Sequence, residues 1–530
     1  MDFIKANSTK LIKENGEEVF LKGFGLGGWL LPEGYMWKLH GSYDRPRRME
    51  QLVSELCGKE YNELFWKKYR ESYITKWDIE FIASKGFNCV RLPMNSRILY
   101  KKEGTRIMFV PEEIKRLDEF LCWCEECDIY VILDMHGAPG GQTGTNIDDC
   151  ENDEPELFME EENQETLCFL WGMIAERYAS KACIAGYDLL NEPLPNWFSK
   201  YNDMVMPLYR KIASSIRKHD SKHMLILEGV YWATDFSIFD ELLYHPFDFN
   251  IMLQFHKYWN CPDVDSINTF LAVRDKLQVP LLMGEGGENN LQWYVGLFSM
   301  LRKENISYSF WSYKKMDTLN SPISFEVPKN WHKIMEYDNE KGNMDPQEAI
   351  EIFNNLLINI LKVSINEAVI ASIESRAPLL IPAEFYSDCS IKEKKQYWIA
   401  LRKSEPVTIL YVNDLKETKE PDYKRYGGEK QPDEETLCIA LNKKDLITYE
   451  FFTEEANEWE LSLCLKRHDN EQENKITVLI DKKEINVVPT NNWQEVSLGT
   501  VWLEKGRHVI KLMTVGKVLV DNINITYPKL

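Results

Sequence analysis

The stretch GYDLLNEPLP, residues 186–195, decides the fold. Its apolar start reads as a short strand buried on both faces, the kind that parallel sheets use. Asn191 and Glu192 stand where the apolar run gives way to a loop. A second stretch, VPLLMGEGGENN at 279–290, repeats the pattern and sets Glu285 at the same point. Carboxylates at the ends of two different strands can face one ligand when those ends share a mouth, as they do in a barrel of alternating strands and helices.

Six further apolar runs complete that barrel: VFLKGFGL (19–26), FNCVRLP (87–93), YVILDMH (130–136), HMLILEG (223–229), NIMLQFH (250–256) and YSFWSY (308–313). Between the runs lie amphipathic stretches with helical spacing, such as 111–127, 163–180, 202–220, 266–277 and 291–305. Eight strands alternating with helices predict a (β/α)8 TIM barrel. An open doubly wound sheet is the competing arrangement. GFGLGGW, however, is followed by LLPEGYMW and not by a helix, so the nucleotide fingerprint of that fold is missing.

After the eighth strand the spacing predicts one more helix, from about Asp345 to Leu361. From 382 the pattern becomes short alternating runs with turn residues between them, among them YWIALRK (397–403), VTILYVND (407–414), ITYEFF (447–452) and KVLVDNINITY (517–527). This predicts an all-β sandwich of jelly-roll type. The expected organisation is a barrel over 1–363, a linker over 364–381 and a sandwich over 382–530, with the charge-rich segment 414–435 as a surface loop.

Composition narrows the partners. The 530 residues carry 63 basic against 84 acidic side chains, a net charge of −21, which disfavours nucleic acid and anionic membrane surfaces. A neutral carbohydrate fits better. The opening MDFIKANSTKLIKENGEE lacks the apolar core of a signal peptide, and no apolar run approaches the roughly 20 residues of a membrane span, so a soluble, cytoplasmic protein is expected. The twelve cysteines are scattered, as reduced thiols in such a compartment would be. Cys122, Cys124 and Cys127 cluster in LCWCEECDIY, but no second Cys or His pair follows at zinc spacing.

Polar residues gather at the strand ends: Arg91, His136, Asn191, Glu192, His256, Tyr258, Glu285 and Trp311. A single histidine after an apolar strand is most often a hydrogen-bonded core residue. Eight groups in register with one mouth argue for a site, and two facing carboxylates are the usual apparatus for cleaving a glycosidic bond.

LGGWLLPEG (26–34), FNCVRLP, LDMHGAPGGQTG (133–144), LLNEPLP, FHKYW, MGEGG and FWSYKK together resemble glycoside hydrolase family 5, its exo-β-1,3-glucanase branch above all. The resemblance implies a retaining β-glycosidase with Glu192 as general acid/base and Glu285 as nucleophile, needing no cofactor for catalysis. It implies substrate contacts from Arg91, His136, Asn191, His256, Tyr258 and Trp311. Glu33 matches an acidic position that closes the pocket in the exo-acting branch, and Trp29 lies on the same segment. A second acidic position of that branch is Asn146 here, with Asp148 two residues on. β-Glucosides or short β-glucan oligosaccharides are the expected substrates, with β-mannosides, an endo-acting cleft or a non-catalytic sugar-binding barrel as alternatives.

The C-terminal region, most of all 490–527, resembles family 6 and family 35 carbohydrate-binding modules. By that likeness Glu384 and Asp521 are candidate ligands of a structural calcium, whose preference is for oxygen donors. Tyr426, Trp459, Trp493 and Asn522 are the corresponding candidates for sugar contact.

Overall fold

The computed structural model describes residues 1–39, 41–104, 106–337, 344–391, 399–413, 421–428, 434–468 and 475–528. The chain divides into two units. The first comprises Met1–Lys257, Thr269–Gly287 and Asn305–Ile365; the second comprises Tyr258–Asn268, Glu288–Glu304 and Asn366–Leu530.

The first unit is built on a closed barrel of eight parallel strands. These are β1 (Lys22–Gly25), β2 (Cys89–Asn95), β3 (Tyr130–Gly137), β4 (Ile184–Asp188), β5 (Met224–Glu228), β6 (Ile251–Lys257), β7 (Leu281–Gly286) and β8 (Ser307–Phe310). All eight fall on the apolar runs read from the sequence. Every residue of β2 through β8 is buried, as strands covered on one side by helices and filled on the other by barrel packing must be. The lower end is plugged by Ile4 and Leu11 of an N-terminal hairpin, which join Leu21, Ile132, Ile226, Met252 and Leu282 in one apolar cluster.

The second unit contains two antiparallel sheets. In one, Thr408–Tyr411, Leu437–Leu441, Val518–Thr526, Asn457–Arg467 and Gln494–Leu503 are neighbours in that order, and Leu379–Pro382 also pairs with Val518–Thr526. The other runs Asp388–Ser390, Leu446–Thr453, Gly506–Thr514, Ile476–Ile480 and Lys483–Val487. Leu446–Thr453 alternates half-buried and buried residues along its length, the signature of a sheet with one face on a core. The expected β-sandwich is present.

Three sequence expectations change. Residues 364–381 are no linker: Glu367–Glu374 is helical, burying Val369, Ile370 and Ile373 at helical spacing, and Leu379–Pro382 is a strand. Of YWIALRK, residues 397 and 398 lie outside the described residues and 399–403 form no strand. There Arg402 is buried and its guanidinium donates to the carbonyls of Glu384 and Tyr386, so side-chain bonding holds this segment and no strand ladder does. Finally, Tyr258–Asn268 and Glu288–Glu304 follow β6 and β7 in sequence yet group with the second unit. Most of the loop 414–435 lies outside the described residues.

Candidate active site

Arg91 is the hub of the barrel mouth. It faces inward from β2, fully buried, and binds groups from four other strands or strand ends. Nη1 donates to Glu285 Oε1 at 2.6 Å and Nε to Asp188 Oδ2 at 2.9 Å. Nη2 donates to Glu228 Oε1 at 2.9 Å and Asn191 Oδ1 at 2.7 Å, and lies 3.2 Å from Asp134 Oδ2. One guanidinium thus serves four carboxylates. A planar five-donor fork can do this where a single ammonium cannot.

His256 and Glu285 are direct partners across β6 and β7, just past a β-bulge between Phe255 and His256. The extra residue is Gly284 on β7, between Met283 and Glu285, and it brings Glu285 opposite His256. His256 Nδ1 donates to Glu192 Oε1 at 2.6 Å and lies 3.5 Å from Glu285 Oε2. One oxygen from each glutamate and a nitrogen of His256 all lie within 4.8 Å of one another. Burial alone would push the His256 imidazole down. Glu285, Glu228 and Glu192 outweigh burial and hold it well above its usual value. With a proton on Nδ1 given to Glu192, that nitrogen has no lone pair to offer a metal ion.

His136 takes the opposite state. Burial, only partly offset by Glu285, lowers its pKa to about 4, so it is neutral near pH 7. Its Nδ1 donates to Asp134 Oδ2 at 2.8 Å, leaving Nε2 to accept from Asn191 Nδ2 at 3.3 Å. That chain fixes Asn191, whose carbonyl is already held by Arg91. Trp311 lies parallel to His136, ring centroids 5.6 Å apart at 1°, and its indole N–H donates to the Tyr35 hydroxyl at 3.0 Å. Gly25 and Gly27 make room for that indole: a Cβ on either would come within 2.7 Å of its ring atoms.

Glu192 sits on unusual backbone, with φ of +45°, and Leu194 follows at +58°. Such conformations cost a non-glycine residue of order 1 to 3 kcal/mol and persist only when neighbours fix them. Two residues do so here. Glu228 Oε2 accepts from the Glu192 backbone N–H at 2.7 Å. Gln142 Nε2 donates to the carbonyls of His136 and Asn191 at 2.7 and 2.9 Å, tying the end of β3 to the end of β4.

The first unit therefore brings together Arg91, His136, Asn191, Glu192, His256, Glu285 and Trp311. Other sequence candidates are placed differently. Trp29 is buried against Phe120, and its indole donates to the Arg70 carbonyl at 2.8 Å, so it belongs to the barrel wall. Glu33 is buried on the segment that also carries Tyr35. Asp148 uses both oxygens inside its own loop, accepting from the Thr143 N–H and hydroxyl at 2.6 and 2.9 Å and from the Cys150 N–H at 2.8 Å. Asn146 is half-buried on that loop. Tyr258 is part of the second unit, where the Arg425 guanidinium lies 4.3 Å from its ring centroid and Asn289 donates to its carbonyl.

Five buried residues of the mouth were missed: Asp134, Gln142, Asp188, Glu228 and Gln254. Gln254 donates to Asp188 at 3.0 Å and to Glu228. Strand periodicity offered a signal for them. Asp134 precedes His136 by two, and Gln254 precedes His256 by two, so each pair shares the inward face of its strand.

Residues 54–317 match the model of cellulase, glycosyl hydrolase family 5. This span carries a glycosyl hydrolase family 5 domain. The chain is 34% identical over 241 residues to a β-xylosidase of Phanerodontia chrysosporium, covering 46% of this chain and 49% of that protein. It is 23% identical over 313 residues to endoglucanase C of Acetivibrio thermocellus, covering 48% and 88%. With a probable glucan 1,3-β-glucosidase A of Emericella nidulans it shares 26% identity over 220 residues, 41% of this chain and 52% of that one. The chain thus spans about half the length of the β-xylosidase and of the glucan 1,3-β-glucosidase. Among the described residues, no helix is long and apolar enough to cross a membrane.

Proposed function

We propose that the protein is a retaining β-glycosidase that removes β-linked glucosyl units from short β-glucan oligosaccharides or β-glucosides, working in an exo manner. The observation that carries this reading is the approach of Glu192 and Glu285 to within 4.8 Å at their nearest oxygens, in a family 5 domain. Retaining enzymes hold their two carboxyl groups about 5 to 5.5 Å apart, whereas inverting ones leave about 6.5 to 9.5 Å for a water.

In the first step a Glu285 oxygen attacks the anomeric carbon while protonated Glu192 gives its proton to the glycosidic oxygen. The C–O bond to the aglycone breaks, and the aglycone leaves as an alcohol. In the second step Glu192, now a carboxylate, takes a proton from water as the water oxygen displaces Glu285 from the same carbon. Arg91 orients Glu285 through the 2.6 Å hydrogen bond from Nη1 to Oε1. Asn191, fixed between Arg91 and His136, is suited to the sugar 2-hydroxyl, and Trp311 offers the ring a flat apolar face.

The similarities to a β-xylosidase, an endoglucanase and a glucan 1,3-β-glucosidase supply the alternatives. We expect laminaribiose and an aryl β-glucoside to be cleaved with kcat/KM at least tenfold above xylobiose and an aryl β-mannoside. Laminaripentaose should release glucose as the first product. Xylobiose as the best substrate, or release of laminaribiose and laminaritriose first, would overturn the glucosyl and exo assignments respectively.

For the second unit we propose a carbohydrate-binding-module-like sandwich with a structural calcium at Glu384. Both oxygens of this buried carboxylate lack a hydrogen-bond partner among the described residues, and burial pushes its pKa up to about 8. Such a group is either kept neutral or neutralised by a cation. Asp521 sits on the adjacent strand, its carbonyl accepting from the Ala383 N–H at 2.8 Å. Calcium should raise the Tm over that in EGTA by several degrees, and Glu384→Gln should abolish the difference; an equal Tm in calcium and EGTA excludes the ion. Trp459 is not available for sugar, being 1% exposed and stacked on Tyr527 at 4.7 Å.

A further inference from the structure

Glu228, the last residue of β5, is fully buried, so no substrate atom reaches it, yet it grips Glu192 from two sides. Directly, its Oε2 accepts from the Glu192 backbone N–H at 2.7 Å. Indirectly, its Oε1 lies 3.5 Å from His256 Nε2, while Nδ1 of the same ring donates to Glu192 Oε1 at 2.6 Å. A closed path thus leaves Glu192 through its carboxyl, crosses the imidazole and Glu228, and returns to Glu192 through its backbone.

Glu228 is itself held still. Its Oε1 accepts from Arg91 Nη2 at 2.9 Å and from Gln254 Nε2. Gln254 is its register partner on β6 and stands two residues before His256, on the same inward face. The Gln254 amide lies close against β7, where a Cβ on Gly284 would fall 2.1 Å from its Cδ. The Tyr209 hydroxyl donates to the Glu228 carbonyl at 2.8 Å, which fixes the end of β5 from outside the barrel. With two donors on Oε1, the Glu192 N–H takes Oε2.

The chemistry explains what this grip is for. In the reaction proposed above, Glu192 must bring a proton to the leaving oxygen, and a misplacement of about 1 Å can cost about 10²-fold in rate. Glu192 stands at φ of +45°, a conformation that a non-glycine residue keeps only when its neighbours fix it. Its Oε1 is taken by His256, which leaves Oε2 to carry the proton that is delivered. We infer that Glu228 is a positioning residue for proton transfer, holding the Glu192 backbone directly and its carboxyl through His256 so that the proton meets the leaving oxygen. This rests on the glycosidase reading, and it deepens that reading by extending the acid/base apparatus to a side chain that touches no substrate.

The test compares kcat/KM, which reports the first step, for methyl β-glucoside, whose leaving group needs a proton, and dinitrophenyl β-glucoside, whose leaving group does not. It is measured with Tm in the wild type, Glu228→Gln, Glu228→Asp and Glu192→Ala. Glu228→Gln sets an N–H donor against either the Glu192 N–H or the donors on Oε1, and Glu228→Asp draws the carboxyl back by one methylene. In each, the methyl glucoside value should fall about 10²-fold and the dinitrophenyl value less than about threefold. A split of about tenfold or more in either folded variant bears the inference out, and a smaller split overturns it. Failure of both variants to fold would also overturn it, because Glu228 would then serve the fold alone. A wild type that cleaves neither glucoside, or Glu192→Ala without the split, would instead overturn the glycosidase reading on which the inference rests.

Discussion

Glu285→Gln should lower kcat for an aryl β-glucoside by about 10⁵-fold while the Tm stays within a few degrees of wild type. The loss is large because no other group can form the covalent bond to the anomeric carbon. The fold survives because an amide oxygen can still accept from Arg91 Nη1, which lies 2.6 Å from Glu285 Oε1. Glu192→Ala should behave differently. Removing a general acid costs about 10² to 10⁴ when the leaving group needs a proton, and far less when it does not. A dinitrophenyl β-glucoside should therefore still undergo the first step in Glu192→Ala and then stall as the covalent species. Added azide should restore turnover and yield a β-glucosyl azide, since it attacks the same face as water and needs no base. Equal losses for good and poor leaving groups would show that Glu192 is not the proton donor.

Arg91→Met should be the most destabilising substitution in the barrel. It strips the shared cation from Asp134, Asp188, Glu228 and Glu285, all buried. Breaking a buried ion pair costs about 3 to 5 kcal/mol, because the charge left behind is uncompensated. At roughly 2 to 4 °C per kcal/mol, Tm should fall by about 10 °C. Arg91→Lys should recover little of this, since one ammonium cannot span Glu285, Asp188 and Glu228 together.

The deficit should also depend on pH. Burial, with Glu228 adding to it and Arg91 opposing, raises Asp188 to about 7. A carboxyl whose folded pKa lies above its unfolded value binds its proton more tightly in the native state. Its contribution to stability is complete below the unfolded pKa, near 4, and is lost as pH rises toward 7. Without Arg91 the opposing cation is gone, so the Tm gap between wild type and Arg91→Met should widen between pH 5 and pH 8. A gap that narrows as pH rises would show that Arg91 does not hold these carboxylates.

The barrel was legible because most of its strands lie in apolar runs that give way to polar residues, and those ends carry the site. GYDLLNEP shows both Glu192 and, two places before Leu190, the buried Asp188. The groups that hold the catalytic side chains in place were harder to see. Glu228 reads as the next-to-last residue of HMLILEG, and nothing local marks it as the acceptor for the Glu192 N–H, which lies 36 residues away in sequence. Asp148 is a candidate in the sequence because it lies two residues past Asn146, which matches an acidic pocket position of the resembled branch; only the folded loop shows its oxygens turned inward on Thr143 and Cys150. Trp29 lies three residues before Pro32 in a loop whose course no periodicity fixes. The assignment of 258–268 and 288–304 to the second unit depends on tertiary grouping that no strand or helix pattern encodes.

In the proposed reaction Glu285 becomes covalently bonded to the sugar. Incubation with a 2-deoxy-2-fluoro-β-glucosyl fluoride, which slows the second step more than the first, followed by proteolysis and mass spectrometry, tests it directly. A fluoroglucosyl adduct is expected on the peptide containing Glu285 and none on the peptide containing Glu192. A label on Glu192, or steady hydrolysis of that substrate to the α-anomer with no label on either peptide, would contradict it.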